Sequence, residues 1–121
     1  MSEDAILRVL IVDDHAPIRR VTRLILQVRN DLQIVGEASD GLEAVQKAKV
    51  LRPDLILLDM DLPTLNGIQV ARRLRDYVPR AKVSFLSVES SSDVVREAFS
   101  VGAVGYIYKL RLASDLLRAW H

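Results

Sequence analysis

The chain has 121 residues, of which half are hydrophobic and 27% are charged, and its net charge is +1. This length and balance predict one globular domain with a buried core rather than a disordered chain. The lack of cysteine excludes disulfides and thiolate metal sites, and the low net charge offers no general attraction to nucleic acid. We find neither a signal peptide nor an apolar run long enough to cross a membrane, so we expect a cytoplasmic protein.

Short apolar runs alternate with amphipathic stretches along the chain. The runs have the length of strands and lie at Val9–Val12, Ile34–Ala38, Leu55–Leu58, Val83–Leu86 and Tyr106–Tyr108. Helical spacing follows each run, in the sets Ile18, Val21, Ile25 and Val28; Leu42, Val45 and Ala48; Ile68, Ala71 and Leu74; Val94 or Val95, Ala98 and Val101; and Leu112, Leu116 and Trp120. The alternation predicts an α/β fold, a (βα)5 doubly wound, five-stranded parallel sheet with helices on both faces.

Prolines support these boundaries. Pro17 suits the first turn of the first helix, and Pro53 and Pro79 end the second and third helices. Since no repeat or internal linker interrupts the alternation, we predict a single domain over residues 1–121 with its core at about residues 8–118.

Polar residues that could form a site follow four of the predicted strands. In chain order they are Asp13 and Asp14, Asp59 and Asp61, Ser87 and Glu89, and Lys109. Ligands of doubly wound sheets bind beyond the carboxyl ends of the strands, so we expect these residues to converge there. Converging carboxylates repel one another unless a cation joins them, and Mg²⁺ (or Mn²⁺) takes such oxygen ligands together with water and a phosphate oxygen.

The same residues contain the parts of a phosphoryl-accepting site. A carboxylate can attack a phosphoryl group to form an acyl phosphate, and Asp59, directly after a buried strand, is the candidate nucleophile. Lys109 would supply a positive charge, and the hydroxyl of Ser87 a hydrogen bond, to the transferring group. Each residue alone has a simpler explanation as a helix cap, turn former or solvated residue. Complementary groups at four strand ends favour the phosphoryl site.

Four motifs occur in order on this pattern: Val-Asp-Asp-His at 12–15, Leu-Leu-Asp-Met-Asp-Leu-Pro at 57–63 with Gly67, Ser87, and Gly-Ala-Val-Gly-Tyr-Ile-Tyr-Lys at 102–109. From about Val9 to Leu117 the chain thereby resembles the receiver domain of two-component response regulators, in the branch usually followed by a helix-turn-helix output domain. The resemblance implies flavodoxin-like receiver topology. It also implies a signalling phosphoprotein that is switched by phosphorylation and is not a turnover enzyme.

The resemblance assigns roles to the residues at the strand ends. Asp59 would be the phosphoacceptor, which receives the phosphoryl group from a histidine kinase or phosphotransfer protein. Asp14 and Asp59 would bind Mg²⁺ directly, while Asp13 would assist largely through water. The backbone carbonyl of Asp61 would be the third protein ligand, and Lys109 would pair with the phosphoryl group.

Two further residues would respond to the phosphoryl group. Ser87 occupies the switch hydroxyl position and Tyr106 the aromatic switch position, although Tyr106 could equally be a half-buried strand aromatic. Their movement would change the surface of the fourth helix, fifth strand and fifth helix, where this family generally dimerises or meets an output domain. We therefore consider a homodimer through this surface and expect the chain to be part of a longer regulator, with an output domain beyond residue 121 that controls transcription.

The chain departs from the family pattern at several positions. Val88 stands where the family usually has a smaller residue and would narrow access to the phosphoryl group. Leu110 stands where many members have proline, so no cis-proline turn is expected after the lysine. Asp61 and Glu89 add acid beside the site and are predicted to tune the lifetime of the phosphoryl group, unless they are merely solvated. His15 is expected only to line the rim.

Three other interpretations remain open. Asp59-Met60-Asp61 is also the Asp-x-Asp signature of haloacid-dehalogenase-type phosphatases, although these carry it on their first strand in a longer chain. A pseudo-receiver would lack one of the functional residues, and a flavodoxin-like binding module would carry a Ser/Thr/Gly-rich loop after the first strand. Basic clusters could contact DNA, but we expect solvated faces and no direct nucleic-acid binding, with the first cluster a hypothetical docking face for an acidic partner. They are Arg19, Arg20 and Arg23 on the first helix and Arg72, Arg73 and Arg75 on the third.

Overall fold

The computed structural model describes residues 6–89 and 91–118, which form one parallel sheet with helices on both faces. The strands are β1 (Leu7–Val12), β2 (Leu32–Ala38), β3 (Leu55–Asp59), β4 (Lys82–Ser87) and β5 (Gly105–Tyr108). The helices are α1 (Ala16–Leu26), α2 (Gly41–Leu51), α3 (Gly67–Tyr77), α4 (Ser92–Ser100) and α5 (Leu112–Arg118), and a 3₁₀ turn at Lys109–Arg111 precedes α5. The predicted (βα)5 doubly wound sheet is confirmed. None of the described helices is long and apolar enough to cross a membrane.

The strand order β2-β1-β3-β4-β5 places β1 and β3 side by side in the middle of the sheet. In this parallel pair Val12 is the partner of Leu58. Asp13 and Asp59 are the next residues along the two strands, so both carboxylates reach the same edge of the sheet together. Strand register alone therefore makes the two acids neighbours.

The other half of the sheet brings a hydroxyl and a lysine to the same edge. Asp59 pairs with Leu86 of β4, and Ser87 follows directly. Ser87 in turn pairs with Tyr108 of β5, the residue before Lys109. The convergence of polar residues predicted from the strand ends is thus a consequence of a continuous parallel register.

Alternate strand residues pack on opposite faces of the sheet. One face carries Leu10, Val12, Ile56, Leu58, Val83 and Phe85 under α2, α3 and α4, and the other carries Val9, Ile11, Leu55, Leu57, Leu86 and Ile107 under α1 and α5. The central strands β1 and β3 are therefore buried on both faces, as their apolar runs predicted. Each fully buried leucine or isoleucine stabilises the fold by about 2 kcal/mol, so the acids at the edge stand on a firmly packed centre.

The prediction of the face that α1 buries was wrong in part. Val21 is 45% and Val28 is 68% exposed, whereas Thr22 and Leu26 are buried. The helix carries apolar residues on two sides, and periodicity does not say which side packs against the sheet.

The set predicted for α2 is wrong in part, and the set predicted for α5 extends beyond the described residues. α2 buries Ala44, Val45 and Ala48 but leaves Leu42 55% exposed, because Leu42 points away from the sheet. The set predicted for α5 includes Trp120, which lies outside the described residues.

Candidate functional site

Three carboxylates and one ammonium meet at the carboxyl edge of the sheet. Asp13 and Asp59 are buried, with exposed fractions of 0% and 1%, and Asp14 beside them is partly exposed. Nζ of Lys109 lies 2.9 Å from Oδ2 of Asp13 and 3.1 Å from Oδ1 of Asp59. We refer to Asp13, Asp14 and Asp59 as the acid cluster. The lysine offsets part of the repulsion between the two buried carboxylates.

Burial and neighbouring charges shift the pKa values of Asp59 and Lys109. Burial is the main reason that the pKa of Asp59 is raised, and the charge of Asp13 adds to this, against the opposing effects of the Asp61 N–H and Lys109. Burial alone would lower the pKa of Lys109, but its contacts with Asp13 and Asp59 outweigh burial and raise that pKa. Lys109 is therefore held as a cation that two buried acids share.

The loop after β3 fixes the side chain of Asp59. The backbone N–H of Asp61 donates to Oδ1 of Asp59 at 3.0 Å. The N–H of Gly67, the first residue of α3, donates to the carbonyl of Met60 at 2.8 Å. A Cβ atom at position 67 would lie 2.7 Å from Cα of Met60 and 2.8 Å from the carbonyl oxygen of Asp59. Glycine therefore allows α3 to begin directly against the backbone that carries the acid.

The acid cluster also has the donors of a cation site. One ligand atom from each of Asp13, Asp14, His15 and Asp59 lies within 4.8 Å of the others. Oδ2 of Asp13 is buried, and the ammonium of Lys109 that contacts it at 2.9 Å is shared with Asp59. Three carboxylates carry more negative charge than this one ammonium neutralises, and a bound cation would offset the remainder. The oxygen-rich set fits a hard divalent ion such as Mg²⁺.

His15 lies closer to the acids than the sequence indicated. Its Nδ1 is 3.0 Å from Oδ1 of Asp14 and 3.3 Å from Oδ1 of Asp13, and its side chain is 65% exposed. Its backbone N–H also donates to Oδ1 of Asp13 at 2.9 Å. The place of His15 directly after the acids was the only signal in the sequence. The turn from β1 into α1 decides that its ring faces the carboxylates.

Arg19 of α1 is a second residue whose contact with the site the sequence did not reveal. Its Nη1 donates to the backbone carbonyl of Asp13 at 2.6 Å, and its Nε donates to Oε1 of Glu37 at 3.0 Å. Nε of Arg23 donates to the other carboxylate oxygen of Glu37 at 2.8 Å. Burial would raise the pKa of Glu37, but the hydrogen bonds from Arg23 and Arg19 outweigh burial and lower that pKa.

These contacts correct the interpretation of the basic cluster on α1. Arg19 and Arg23 are partners of Glu37 and do not form a solvated face together with Arg20. Arg19 has a further effect, because it connects α1 and β2 to the backbone of the acid cluster.

Ser87 and Tyr106 meet at the backbone of Glu89. Ser87 is buried, and its Oγ accepts the N–H of Glu89 at 3.0 Å. The hydroxyl of Tyr106 donates to the carbonyl of Glu89 at 2.6 Å. Burial is the main reason that the pKa of Tyr106 is raised; the charges of Asp61 and Glu89 add to this, and hydrogen bonding with Ser87 opposes it. Both residues predicted to act as switches are thus bound to one exposed loop residue.

The residues that depart from the family pattern surround this edge. Val88 is 56% exposed, and Asp61 and Glu89 are also exposed. The geometry connects Asp61 to Asp59 through its backbone N–H. Leu110 is 76% exposed in the 3₁₀ turn, and the described residues contain no cis peptide bond, as expected without proline. The effects of Asp61, Val88 and Glu89 on access and lifetime stay predictions.

A doubly wound sheet with an acid cluster at the carboxyl ends of β1 and β3 and a lysine after β5 is the arrangement that the resemblance to receiver domains predicted. The family model described as the response regulator receiver domain matches residues 9–120. The chain therefore belongs to the response regulator receiver domain family.

Several relatives are similar over most of this chain. NarL, the nitrate/nitrite response regulator protein of Escherichia coli (strain K12), is 35% identical over 121 residues, which are 100% of this chain and 56% of NarL. The crystal structure of the response regulator domain of Thermotoga maritima CheB is 36% identical with a TM-score of 0.84, and the match covers 93% of this chain and 91% of that one. A LuxR-family two-component response regulator from Aurantimonas sp. SI85-9A1 is 30% identical with a TM-score of 0.89, over 95% of this chain and 82% of that one.

The chain thus spans about half the length of NarL. Family membership favours the receiver over the haloacid-dehalogenase and flavodoxin interpretations, since the Asp-x-Asp motif here follows β3 and not the first strand. The acids and the lysine that a pseudo-receiver would lose all lie together at the edge of the sheet.

Proposed function

We propose that the chain is a phosphorylation-activated switch, in which Asp59 accepts a phosphoryl group from a histidine kinase or phosphotransfer protein in the cytoplasm. The observation that carries this proposal is the position of Lys109, whose ammonium contacts Asp59 and Asp13 at the buried edge of the sheet. A lysine with no role beyond solubility would extend into water instead of sharing a pocket with two buried acids. Membership of the receiver family supports the same role.

The contacts of Asp59 indicate which of its atoms reacts. Oδ1 accepts the N–H of Asp61 and contacts Lys109, which leaves Oδ2 as the attacking oxygen. A bond forms between this oxygen and phosphorus while the bond from phosphorus to the donor's imidazole nitrogen breaks. The nitrogen keeps the electron pair and takes up a proton from solvent. Lys109 neutralises negative charge on the phosphoryl oxygens as the group passes from the donor's imidazole nitrogen to Asp59.

The acid cluster would hold Mg²⁺ or Mn²⁺, with the backbone carbonyl of Asp61 as a further ligand. When bound, the ion would supply positive charge to the transferring group. Two contacts within the chain hold the backbone around this metal site in position. Arg19 holds the backbone carbonyl of Asp13, and Gly67 brings α3 against the loop that follows Asp59.

The change of shape would begin at Ser87. Its hydroxyl oxygen accepts the N–H of Glu89, whereas a phosphoryl group brings nearly two negative charges and strong acceptor oxygens that attract the same hydroxyl as a donor. We infer that the Ser87 side chain turns toward the phosphoryl group, so that Glu89 loses one of its two contacts with the switch residues. Tyr106, which is bonded to the carbonyl of Glu89, would be released to move. This rearrangement would alter the surface formed by α4, β5 and α5.

We infer that this surface controls an output domain or forms a homodimer. Because the chain covers 56% of NarL, we infer that the whole protein carries an output domain beyond residue 121 and that this domain controls transcription. The kinase, the target genes and the stimulus are properties of the whole regulator.

Treatment with acetyl phosphate and Mg²⁺, followed by intact mass measurement, tests the phosphoacceptor. The wild type should gain one phosphoryl group, and Asp59→Asn should gain none. Asp93→Asn is a matched control, because Asp93 lies on α4 with its side chain 90% exposed. Phosphorylation of Asp59→Asn to the wild-type level would refute the assignment, and repeated hydrolysis of a generic phosphate monoester would indicate a phosphatase.

We also propose that Asp61, Val88 and Glu89 set access to the phosphoryl group and its lifetime. Asp61 and Glu89 flank the edge from the loops after β3 and β4, and Val88 lies next to Ser87. Asp61→Asn and Glu89→Gln should change the rate of dephosphorylation, and Val88→Ala should speed phosphorylation by small donors. Rates equal to those of the wild type in all three variants would contradict this proposal.

A further inference from the structure

The ring of His15 contacts two members of the acid cluster and has no part in the proposed phosphoryl transfer. Its Nδ1 lies 3.0 Å from Oδ1 of Asp14 and 3.3 Å from Oδ1 of Asp13. We propose that His15 supplies a nitrogen ligand, through which the acid cluster binds a divalent transition ion such as Co²⁺ or Zn²⁺ in competition with Mg²⁺. The inference rests on the proposed function, because both ions would share the same carboxylates.

The two separations between Nδ1 of His15 and the carboxylate oxygens are close to those between neighbouring ligands of a metal ion. With bonds of about 2.1 Å, two neighbouring ligands are about 3.0 Å apart at a right angle and about 3.4 Å apart at a tetrahedral angle. The two distances from Nδ1 of His15 fall at these values. An ion bound between these atoms would therefore require little movement of His15, Asp13 or Asp14.

A second observation points to a cation independently of the histidine. Asp13 and Asp59 are 0% and 1% exposed, and they share the ammonium of Lys109, which lies 2.9 Å from Oδ2 of Asp13 and 3.1 Å from Oδ1 of Asp59. Asp59 completes the group of donors within 4.8 Å. The three carboxylates carry more negative charge than the Lys109 ammonium neutralises, so a bound divalent ion stabilises the cluster, and the imidazole determines which ions bind most tightly.

The chemistry of the ligands separates the two kinds of ion. Mg²⁺ is a hard ion that prefers oxygen ligands and retains several waters, so a ring nitrogen adds little to its binding. Co²⁺, Ni²⁺ and Zn²⁺ bind imidazole well, and a site with both nitrogen and oxygen ligands favours them over ions that prefer oxygen alone. His15 should therefore widen the difference in affinity between transition ions and Mg²⁺. An ion held in this way would occupy the carboxylates that phosphorylation needs.

Metal titration of the wild type and His15→Gln tests the proposal, with calorimetry for Mg²⁺ and Co²⁺ and visible absorption for Co²⁺. The side chain of His15 is 65% exposed, so its replacement leaves no cavity in the core. We expect His15→Gln to weaken Co²⁺ binding at least about tenfold, since even partners outside the ligand shell have effects of that size. Mg²⁺ binding should change far less, and the visible bands of bound Co²⁺ should shift as nitrogen is lost.

Asp14→Asn provides the matched control, because it removes an oxygen ligand and should weaken both ions. Equal Co²⁺ affinity and equal Co²⁺ spectra in the wild type and His15→Gln would overturn the proposal. Equal weakening of Co²⁺ and Mg²⁺ in His15→Gln would also overturn it. In either case the proposed function stands if the wild type still binds Mg²⁺ and is phosphorylated on Asp59, and it fails if the wild type does neither.

Discussion

The acid cluster and the switch pair of Ser87 and Tyr106 lie at the same edge of one sheet but are held very differently. The acid cluster is fixed from several elements: Lys109 contacts two of its members, Arg19 binds the backbone of one, and the loop before α3 holds another. Ser87 and Tyr106 instead both bond to the backbone of Glu89, an exposed loop residue.

The difference separates the two tasks of a switch. Charge stabilisation during phosphoryl transfer requires groups that are already in place, because reorganising them would add to the barrier. A response to the product requires contacts that break at small cost, and each neutral hydrogen bond contributes only about 1 kcal/mol net. A braced acid cluster beside a lightly held switch pair meets both requirements.

The largest effect should follow removal of the lysine from the acid cluster. Lys109→Met leaves two buried carboxylates without their shared cation, and it removes the positive charge that faces the transferring group. We expect phosphorylation by acetyl phosphate to slow about 100-fold, the usual cost of removing one charge-stabilising group. Time courses of intact mass would measure this. Lys82→Met at the exposed start of β4 is the control, and a Lys109→Met rate within about threefold of that control would show that the lysine is merely structural.

The close packing of α3 against the backbone of Asp59 can be tested at Gly67. A Cβ atom there meets backbone atoms of Met60 and Asp59 at under 3 Å, and backbone cannot move as a side chain can. Gly67→Ala should lower the free energy of unfolding by about 1–3 kcal/mol, as overpacking generally does. In Gly36→Ala the new Cβ meets the mobile end of the Leu51 side chain, so its loss should be smaller. Urea unfolding would compare the two variants. An equal loss of stability in Gly67→Ala and Gly36→Ala would show that the close approach at Gly67 is not important for stability.

The weaker hold on the switch pair predicts a smaller effect at Tyr106. Tyr106→Phe deletes the hydrogen bond to the carbonyl of Glu89 and should lower the free energy of unfolding by about 1 kcal/mol. Faster hydrogen exchange of the Glu89 amide should accompany this loss, because Glu89 keeps its bond to Ser87 but no longer has the one to Tyr106. Tyr77→Phe, at an exposed tyrosine of α3, should change neither quantity. Unchanged exchange at Glu89 in Tyr106→Phe would mean that the loop is held by other contacts.

The smallest effect concerns Glu37, which connects Arg19 and Arg23 behind the acid cluster. Its folded pKa is lowered from the ordinary value of 4.5, so it stabilises the fold above that pH and the contribution is lost as pH falls through the folded pKa. Glu37→Gln should cost about 1 kcal/mol at neutral pH, since the pair is partly exposed, and nothing in strong acid.

Urea unfolding at a series of pH values would measure the stability difference between the wild type and Glu37→Gln. The exposed Glu97 of α4 provides the control through Glu97→Gln, which should show no such trend. A stability difference that stayed constant from neutral pH to strong acid would show that the charge on Glu37 does not stabilise the fold.

The sequence by itself determined the five strands, their order along the chain and the residues that end them. Fully apolar runs indicate buried strands, and the residue that follows such a run lies at the carboxyl edge of a parallel sheet. Asp59, Asp13 and Lys109 could therefore be placed at one edge from the sequence, and in the structure the ammonium of Lys109 lies within hydrogen-bond distance of both acids.

Only the tertiary structure decided which face of α1 packs inward, that the ring of His15 turns to the acids, that Arg19 binds the carbonyl of Asp13, and that Ser87 and Tyr106 share Glu89. Periodicity reports how residues repeat within one element. Each of these contacts instead depends on how a helix or loop is rotated and placed against a different element, and that is set by the packing of the whole core.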